Sequence, residues 1–540
     1  MPRKKIPTKA ELIQLQKLYK TDEKIAERLG NVTPQLVAYW RRKKNIPKHS
    51  YPKFSEIEIR ELWERFGDDY RCGLELGISK AAFYNWRRRY GLKDKPAFLK
   101  LEQLELDLGG PKKLIGKIYH YGRRTIAQKI FAERAGMEKV EEGEFVEVEP
   151  DLVMSHLNAA DVIERFQEFG LNYVWNPNRI VIPLDSCPGD NTNHDIGMQK
   201  AIREFVKRQN IKHFYDFREG GCHQIVVERG HVLPGQLALG TNAETTAYGA
   251  IGALSTGIDT TEMASIWALG KIWMKVPSTV KIMINGKLPR GVFAMDVSLF
   301  IAKKLTTGGA AYRSIEFNGT AMTQMSISER MTLTGMARSM GAKVAICPFD
   351  TTTRRFFMGR TKMPFRPALA DKDAVYDDTY EFNIDSLVPK IACPSNVDNV
   401  RPVVEVEGTP LDKIIIGSTN SGRFDDLRLV ADIMKGNQVH PDVQLIIFPG
   451  SRSIYLEALK KGLIRAFVEA GAVVMNPQSG PGPNDQQCLL GDGEHCLTTF
   501  GDNRSGVLGA ASAEIYLASP ATAAASAMSG VITDPTRFVG

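Results

Sequence analysis

The period of the hydrophobic positions changes near residue 120. Before it, apolar residues recur three and four apart, which places them on one face of a helix. Ile25-Ala-Glu-Arg-Leu-Gly30 leads into Val32-Thr-Pro-Gln-Leu-Val-Ala-Tyr-Trp40-Arg-Arg-Lys-Lys-Asn-Ile46. A second copy reads Gly73-Leu-Glu-Leu-Gly77, then Ile78-Ser-Lys-Ala-Ala-Phe-Tyr-Asn-Trp86-Arg-Arg-Arg-Tyr-Gly-Leu92, with Trp40 and Trp86 46 residues apart. In each copy one helix is predicted to stop at a glycine, Gly30 or Gly77, which accepts a left-handed C-cap. Thr33 or Ser79 then caps a second helix by accepting a bond from an orphan N–H. A repeat of this length is one supersecondary unit used twice, here with helix-turn-helix logic.

Beyond 120, short apolar runs alternate with helical periods. Ile180-Val-Ile-Pro-Leu, Gln224-Ile-Val-Val, Val280-Lys-Ile-Met-Ile, Lys343-Val-Ala-Ile-Cys, Lys413-Ile-Ile-Ile and Gln444-Leu-Ile-Ile-Phe read as strands. Met198–Gln209, Arg330–Ser339 and Ile454–Glu469 read as helices. The alternation predicts α/β units with mostly parallel sheets. The expected organisation is two helical repeats (1–50 and 51–96), a linker (97–119) around Gly109-Gly110-Pro111, and three α/β domains (120–283, 284–404 and 405–540).

Composition changes this picture in one place. The 540-residue chain carries a formal charge of +8, but residues 1–95 hold 23 Lys and Arg against 12 Asp and Glu. The head is therefore near +11 and the rest near −3. A nucleic-acid partner for residues 1–96 follows, with Arg41, Arg42, Lys43, Lys44, Lys80, Arg87, Arg88 and Arg89 as phosphate-binding candidates. The alternatives are a solvated basic face or an acidic protein partner. No apolar run has the length of about 18 residues that a membrane span needs, and the start of the chain has no secretory pattern. The seven scattered cysteines form no disulfide framework, so a cytoplasmic protein without a membrane partner is expected.

Several blocks in one order carry a family resemblance. They are Thr125-Ile-Ala-Gln-Lys-Ile-Phe-Ala; Phe145-Val-Glu-Val-Glu-Pro-Asp-Leu-Val-Met-Ser-His156; Gly221-Cys-His-Gln224 with His231-Val-Leu-Pro-Gly235; Gly286-Lys-Leu-Pro-Arg-Gly-Val; Ile415-Ile-Gly-Ser418; Gly422-Arg-Phe-Asp-Asp-Leu; and Tyr516-Leu-Ala-Ser-Pro-Ala-Thr-Ala-Ala-Ala525. Over roughly 120–540 the chain resembles the large subunit of isopropylmalate dehydratase, in the aconitase family. The resemblance implies three three-layer α/β/α domains around a cleft. It also implies a [4Fe–4S] cluster held by three cysteines, whose open iron acts as a Lewis acid, and a separate small swivelling subunit.

The same alignment shows departures. Thr419, Pro481 and Asn484 stand where the resemblance places the three cluster cysteines, and cluster iron takes thiolate. The family's Asp-Ser-His-Thr appears as Asn242-Ala-Glu-Thr245, its Asp-His pair as Asp185-Ser186, and its Asn-Met-x-x-Glu as Gly335-Met-Ala-Arg-Ser339. Its Asn-Arg-Asn-Phe-x-Gly-Arg loop appears as Gly501-Asp-Asn-Arg-Ser-Gly-Val507, with Arg504 out of register. The expectation is a chain without the cluster, taking no cofactor, a mononuclear divalent metal through Glu244, His223 and His194 being the alternative.

The polar set left for the cleft is His156, Cys222, His223, Asn242, Glu244, Thr419 and Asn420, suited to a small polar or carboxylate ligand. Two functions are weighed. One is a DNA-binding protein whose cleft senses a metabolite. The other is a cluster-independent hydro-lyase or isomerase on a hydroxy acid, with Glu244 as general base and a small swivelling partner.

Overall fold

The computed structural model describes residues 7–19, 21–30, 32–47, 54–66, 68–92, 123–185, 193–417, 420–481 and 488–539. The chain divides into two compact units, Met1–Ile118 and Tyr119–Gly540. The expected linker, 97–119, lies outside the described residues.

The described residues of the first unit form two groups of three helices. The first group is α1 (Lys9–Tyr19), α2 (Asp22–Leu29) and α3 (Pro34–Lys43); the second is α4 (Glu56–Phe66), α5 (Asp69–Glu75) and α6 (Lys80–Arg89). Gly30 and Gly77 take positive φ values of 59° and 63°, but Gly30 has ψ 136° and so does not form the expected left-handed cap. Thr33 accepts from the Leu36 N–H and Ser79 from the Ala82 N–H, so each third helix starts where the sequence places its cap. Ile25, Ala26 and Val37 form one small core of the first group. Ile59, Trp63, Cys72, Ile78 and Phe83 form that of the second.

Two of the eight basic candidates are not available to a ligand. Arg41 is 6% exposed; both its arms bind the Asp22 carboxylate, at 3.2 and 3.1 Å, and Nη1 donates to the Ile46 carbonyl at 3.1 Å. Arg87 repeats this with Asp69 (2.7 and 3.0 Å) and the Leu92 carbonyl (2.6 Å). Its guanidinium also sits 4.0 Å from the Trp63 ring centre. A bidentate fork satisfied on both faces is a fold element. Arg41 and Arg87 are thus corrected from phosphate contacts to buried clamps.

The second unit is built on three larger sheets and a short antiparallel ribbon of β1 (Phe145–Val148) with β7 (Ile272–Lys275). The first sheet is all parallel, in the order β4-β3-β2-β5-β6. Its strands are β2 (Leu152–Met154), β3 (Ile180–Pro183), β4 (His213–Tyr215), β5 (Leu237–Gly240) and β6 (Leu254–Gly257). The second sheet, also parallel, runs β10-β9-β8-β11, from β8 (Thr279–Asn285), β9 (Ser314–Asn318), β10 (Val344–Ile346) and β11 (Asp378–Asn383). The third runs β13-β12-β18-β17-β14-β15-β16. It takes β12 (Lys390–Ala392), β13 (Val400–Pro402), β14 (Lys413–Ile416), β15 (Gln444–Ile447), β16 (Val473–Val474), β17 (His495–Thr498) and β18 (Glu514–Ala518), with only the pairings of β12 antiparallel.

β3, β5 and β14 are buried at every position, as strands covered on both faces must be. That is why Ile180-Val-Ile in β3 and Ile414-Ile-Ile in β14 read as apolar runs. The same signal misled at Gln224-Ile-Val-Val, which lies in the helix Cys222–Glu228. A short apolar run does not separate a buried strand from a buried helix turn. The expected helix over 454–469 is two, Arg452–Lys460 and Leu463–Glu469, divided at Gly462 with φ 79°. Among the described residues no helix is long and apolar enough to cross a membrane.

Arg87→Ala leaves the half-buried Asp69 carboxylate without its partner and opens space beside Trp63, which together cost about 1–3 kcal/mol. Amide hydrogen exchange across 54–92 is expected to accelerate accordingly, whereas Arg88→Ala, at an exposed position of the same helix, changes it little.

Candidate functional site

A crevice forms where the carboxyl ends of parallel strands from the first and third sheets meet, the usual place for ligands in open α/β sheets. His156, Asp185 and Asn242 each follow a strand of the first sheet by two residues, after β2, β3 and β5. Asn420 follows β14, Ser479 follows β16 and Gly501 follows β17. Backbone bonds join the two sides: Ser479 N–H to the Asp185 carbonyl at 3.0 Å and Gly221 N–H to the Gly450 carbonyl at 2.9 Å.

Asp185 is the hub. It is 3% exposed; Ser479 Oγ donates to its Oδ2 at 2.6 Å, and its Oδ1 lies 3.2 Å from His156 Nδ1. Burial alone would raise this carboxyl's pKa. The His156 charge and hydrogen bonds from His156, Ser479 and Cys222 outweigh burial and hold it well below the usual carboxylate range. Burial likewise works against a charged His156, but the Asp185 carboxylate overcomes it and raises the imidazole's pKa. Each group therefore favours the charged form of the other.

Cys222 and His223 start the helix Cys222–Glu228. The Cys222 N–H donates to Ser479 Oγ at 3.3 Å. Burial, with the Asp185 charge beside it, pushes the thiol's pKa well up, so Cys222 is a neutral thiol and no nucleophile. His223 Nδ1 lies 3.1 Å from Tyr248 Oη, and burial lowers its pKa to about 4. The two adjacent residues therefore do different things, one beside Asp185 and one against Tyr248.

Two glycines flank Asn420, and Glu244 lies near one of them, Gly501. A Cβ on Gly335 would lie 2.3 Å from Asn420 Oδ1, and one on Gly501 would lie 2.3 Å from Asn420 Nδ2 and 3.4 Å from Glu244 Oε1. Glycine at 335 and 501 makes room for the buried Asn420 carboxamide. Thr332 Oγ1 donates to the Asn420 carbonyl at 2.7 Å, and Arg423 Nη1 donates to Thr332 Oγ1 at 3.2 Å. Arg423 is 3% exposed, a guanidinium kept charged although burial lowers its pKa. It lines a cleft of about 640 Å³; Thr332 and Asn420 line another of about 430 Å³.

Of the seven cleft residues read from sequence, His156, Cys222, His223, Asn242, Glu244 and Asn420 thus lie about this crevice. Thr419 lies outside the described residues, as do Asn484 and the side chain of His194. Sequence reasoning missed Arg423, Thr332, Ser479 and Tyr248. Arg423 sits in a block quoted above only as scaffold, and Asp185 was noted only as half of a lost pair. Arg504 pairs with Asp502 at 2.5 Å and is an exposed side chain away from the crevice chemistry.

This is a parallel-sheet α/β protein with a polar crevice at its strand ends. The family model "Aconitase family (aconitate hydratase)" matches residues 189–407 and 401–530. The 3-isopropylmalate dehydratase large subunit 1 of Methanopyrus kandleri is 42% identical over 422 residues, 77% of this chain and 100% of the relative. The probable methanogen homoaconitase large subunit of Methanosarcina mazei is 42% identical over 389 residues, 72% of this chain and 99% of the relative. The 3-isopropylmalate dehydratase large subunit 1 of Thermotoga maritima is 41% identical over 421 residues, 77% and 100%. The structure of Thermococcus kodakaraensis aconitase X covers 66% of this chain and 84% of its own at 13% identity and a TM-score of 0.39; the assignment does not rest on it. The chain belongs to the aconitase family, and it is a homologue of the isopropylmalate dehydratase and homoaconitase large subunits.

These relatives overturn one expectation. A chain 42% identical to dehydratase large subunits across their whole length is not one for which three aligned replacements establish the loss of the family's cofactor. The expectation of no cofactor, and the mononuclear metal offered instead, are both withdrawn. Pro481 carries no donor atom, the described cysteines of the second unit are buried, and burial raises the thiols of 222, 347, 393 and 496. Among the described residues no group of three His, Cys, Asp or Glu could hold a metal ion. They supply no thiolate set for an iron–sulfur cluster, and no step below runs through one.

The histidines predict a pH dependence of stability. Unfolded His223 takes a proton near pH 6.5, whereas the folded group takes it only near 4. Stability is therefore lost as pH falls from about 6.5 to 4, by on the order of 3 kcal/mol. His156 has the opposite sign: its contribution is present below about pH 6.5 and lost as pH rises through its raised folded value. Urea unfolding across pH 4–7 is expected to show a flatter low-pH slope in His223→Gln than in the parent.

Proposed function

We propose that the second unit is the large subunit of a hydro-lyase acting on a hydroxy carboxylic acid. The observation that supports this most is the His156–Asp185 pair at the first-sheet strand ends, with Glu244 and Asn420 both beside Gly501 and Arg423 tied to the Asn420 backbone through Thr332. Removal of water from a hydroxy acid needs these three functions. Glu244 takes the proton from the carbon next to a substrate carboxylate, and His156 gives a proton to the departing hydroxyl, which leaves as water. Arg423 fits a carboxylate, which a planar guanidinium grips with two bonds. The relatives are named as large subunits, so a small subunit is proposed to complete this site as well. The metabolite-sensing role read from the altered cleft drew its weight from the expected loss of the cofactor, the expectation those relatives overturn.

The test is turnover of isopropylmalate and of homoaconitate by the full chain purified without oxygen, alone and with a dehydratase small subunit. Turnover is expected with the small subunit, and Glu244→Gln should lower kcat at least about 100-fold with KM changed far less. A folded, small-subunit-bound chain that turns over neither substrate contradicts the proposal.

A further inference from the structure

Charge in the first unit is divided by helix. Helices α1, α2, α4 and α5 mix acids and bases, whereas α3 (PQLVAYWRRK) and α6 (KAAFYNWRRR) hold no Asp or Glu. A basic last turn suits the negative end of the helix dipole. That effect does not account for whole helices without an acid, or for Lys80 opening α6. Among the described residues, Asp22 reaches α3 and Asp69 reaches α6, held by buried Arg41 and Arg87. Arg42 and Lys43 remain exposed on α3, and Lys80, Arg88 and Arg89 on α6.

Exposed aromatic rings lie among these cations. Lys43 Nζ is 5.9 Å from the Tyr39 ring centre, and the Arg88 guanidinium is 5.7 Å from that of Tyr84. Gln35 and Asn85 add exposed amides to the same helices. A protein partner is usually met through an apolar centre with a charged rim. Apart from Tyr39 and Tyr84, Leu36 is the one large apolar side chain exposed on either helix. A phosphate polymer needs no such centre, because neutralising phosphates and releasing counterions supplies the affinity. Each helix has ten residues and is about 15 Å long, a rod that the duplex major groove, about 12 Å wide, admits. The same face occurs twice in one chain, 46 residues apart, which suits a ligand that repeats.

We propose that α3 and α6 are two binding faces for double-stranded DNA. Arg42, Lys43, Arg88 and Arg89 meet phosphates, and Tyr39 and Tyr84 lie against the groove wall. The proposal concerns the first unit and stands or falls separately from the hydro-lyase reading.

The experiment is fluorescence anisotropy of a labelled mixed-sequence duplex with the full chain across a salt series. The expected result is an affinity whose logarithm falls linearly with log salt. The variant Arg42→Ala/Lys43→Ala/Arg88→Ala/Arg89→Ala should weaken binding at least about tenfold and take about 3–4 units from the salt slope, at about 0.9 per phosphate. Lys17→Ala/Arg28→Ala, which removes exposed cations from α1 and α2, should change affinity less than about threefold. Arg42→Gln/Arg88→Gln, which keeps polar side chains of similar length, should give an intermediate loss. No duplex binding at low salt overturns the proposal. So does an equal loss per charge in the α1/α2 variant, or tighter binding to single-stranded RNA, phosphatidylserine vesicles or polyglutamate than to the duplex.

Discussion

Asp185 is buried between two sheets, and a buried carboxylate is stable only where its oxygens are met. Here Ser479 from the third sheet and His156 from the first meet one oxygen each, while the Asp185 carbonyl takes the Ser479 N–H. This carboxylate fixes the distance between the two sets of strand ends. It also sets the proton of His156 and keeps the Cys222 thiol neutral. The rest of the crevice is arranged around that junction.

The Asn420 carboxamide shows how a family frame accommodates a changed interior. The resemblance places larger residues at 335 and 501, and this chain has glycine at both. Neither glycine leaves a void, because the amide of a third residue occupies the shared space. Protein interiors pack too closely for three such changes to be independent. Gly335→Ala and Gly501→Ala would each press a methyl group into the Asn420 carboxamide.

Much of the fold was legible because its signals are local. The Thr33 and Ser79 caps and most of the apolar strand runs are written in short stretches of sequence and appear where expected, whereas the apolar run at Gln224 is a helix. The site was legible only in part, because it is assembled from loops some 300 residues apart. Nothing near Ser479 says that it will reach Asp185, and Arg423 looks like a helix-start residue until Thr332 is placed beside it. Arg41 and Arg87 show the reverse error: in a basic run they look like ligand-binding residues, and only the packing of Asp22 and Asp69 reveals them as clamps. The cofactor was misjudged for a different reason, since three replaced positions were weighed more heavily than close kinship along the whole unit.

The most direct test is calorimetric titration of the full chain, with its small subunit, with isopropylmalate at neutral pH and at a pH above the raised His156 value. The account predicts binding that weakens at the higher pH as His156 loses its proton, and that Arg423→Lys weakens at both pH values, because an ammonium cannot reproduce the two-bond grip. Binding indifferent to both pH and Arg423→Lys would contradict the assignment of this crevice as the hydroxy-acid site.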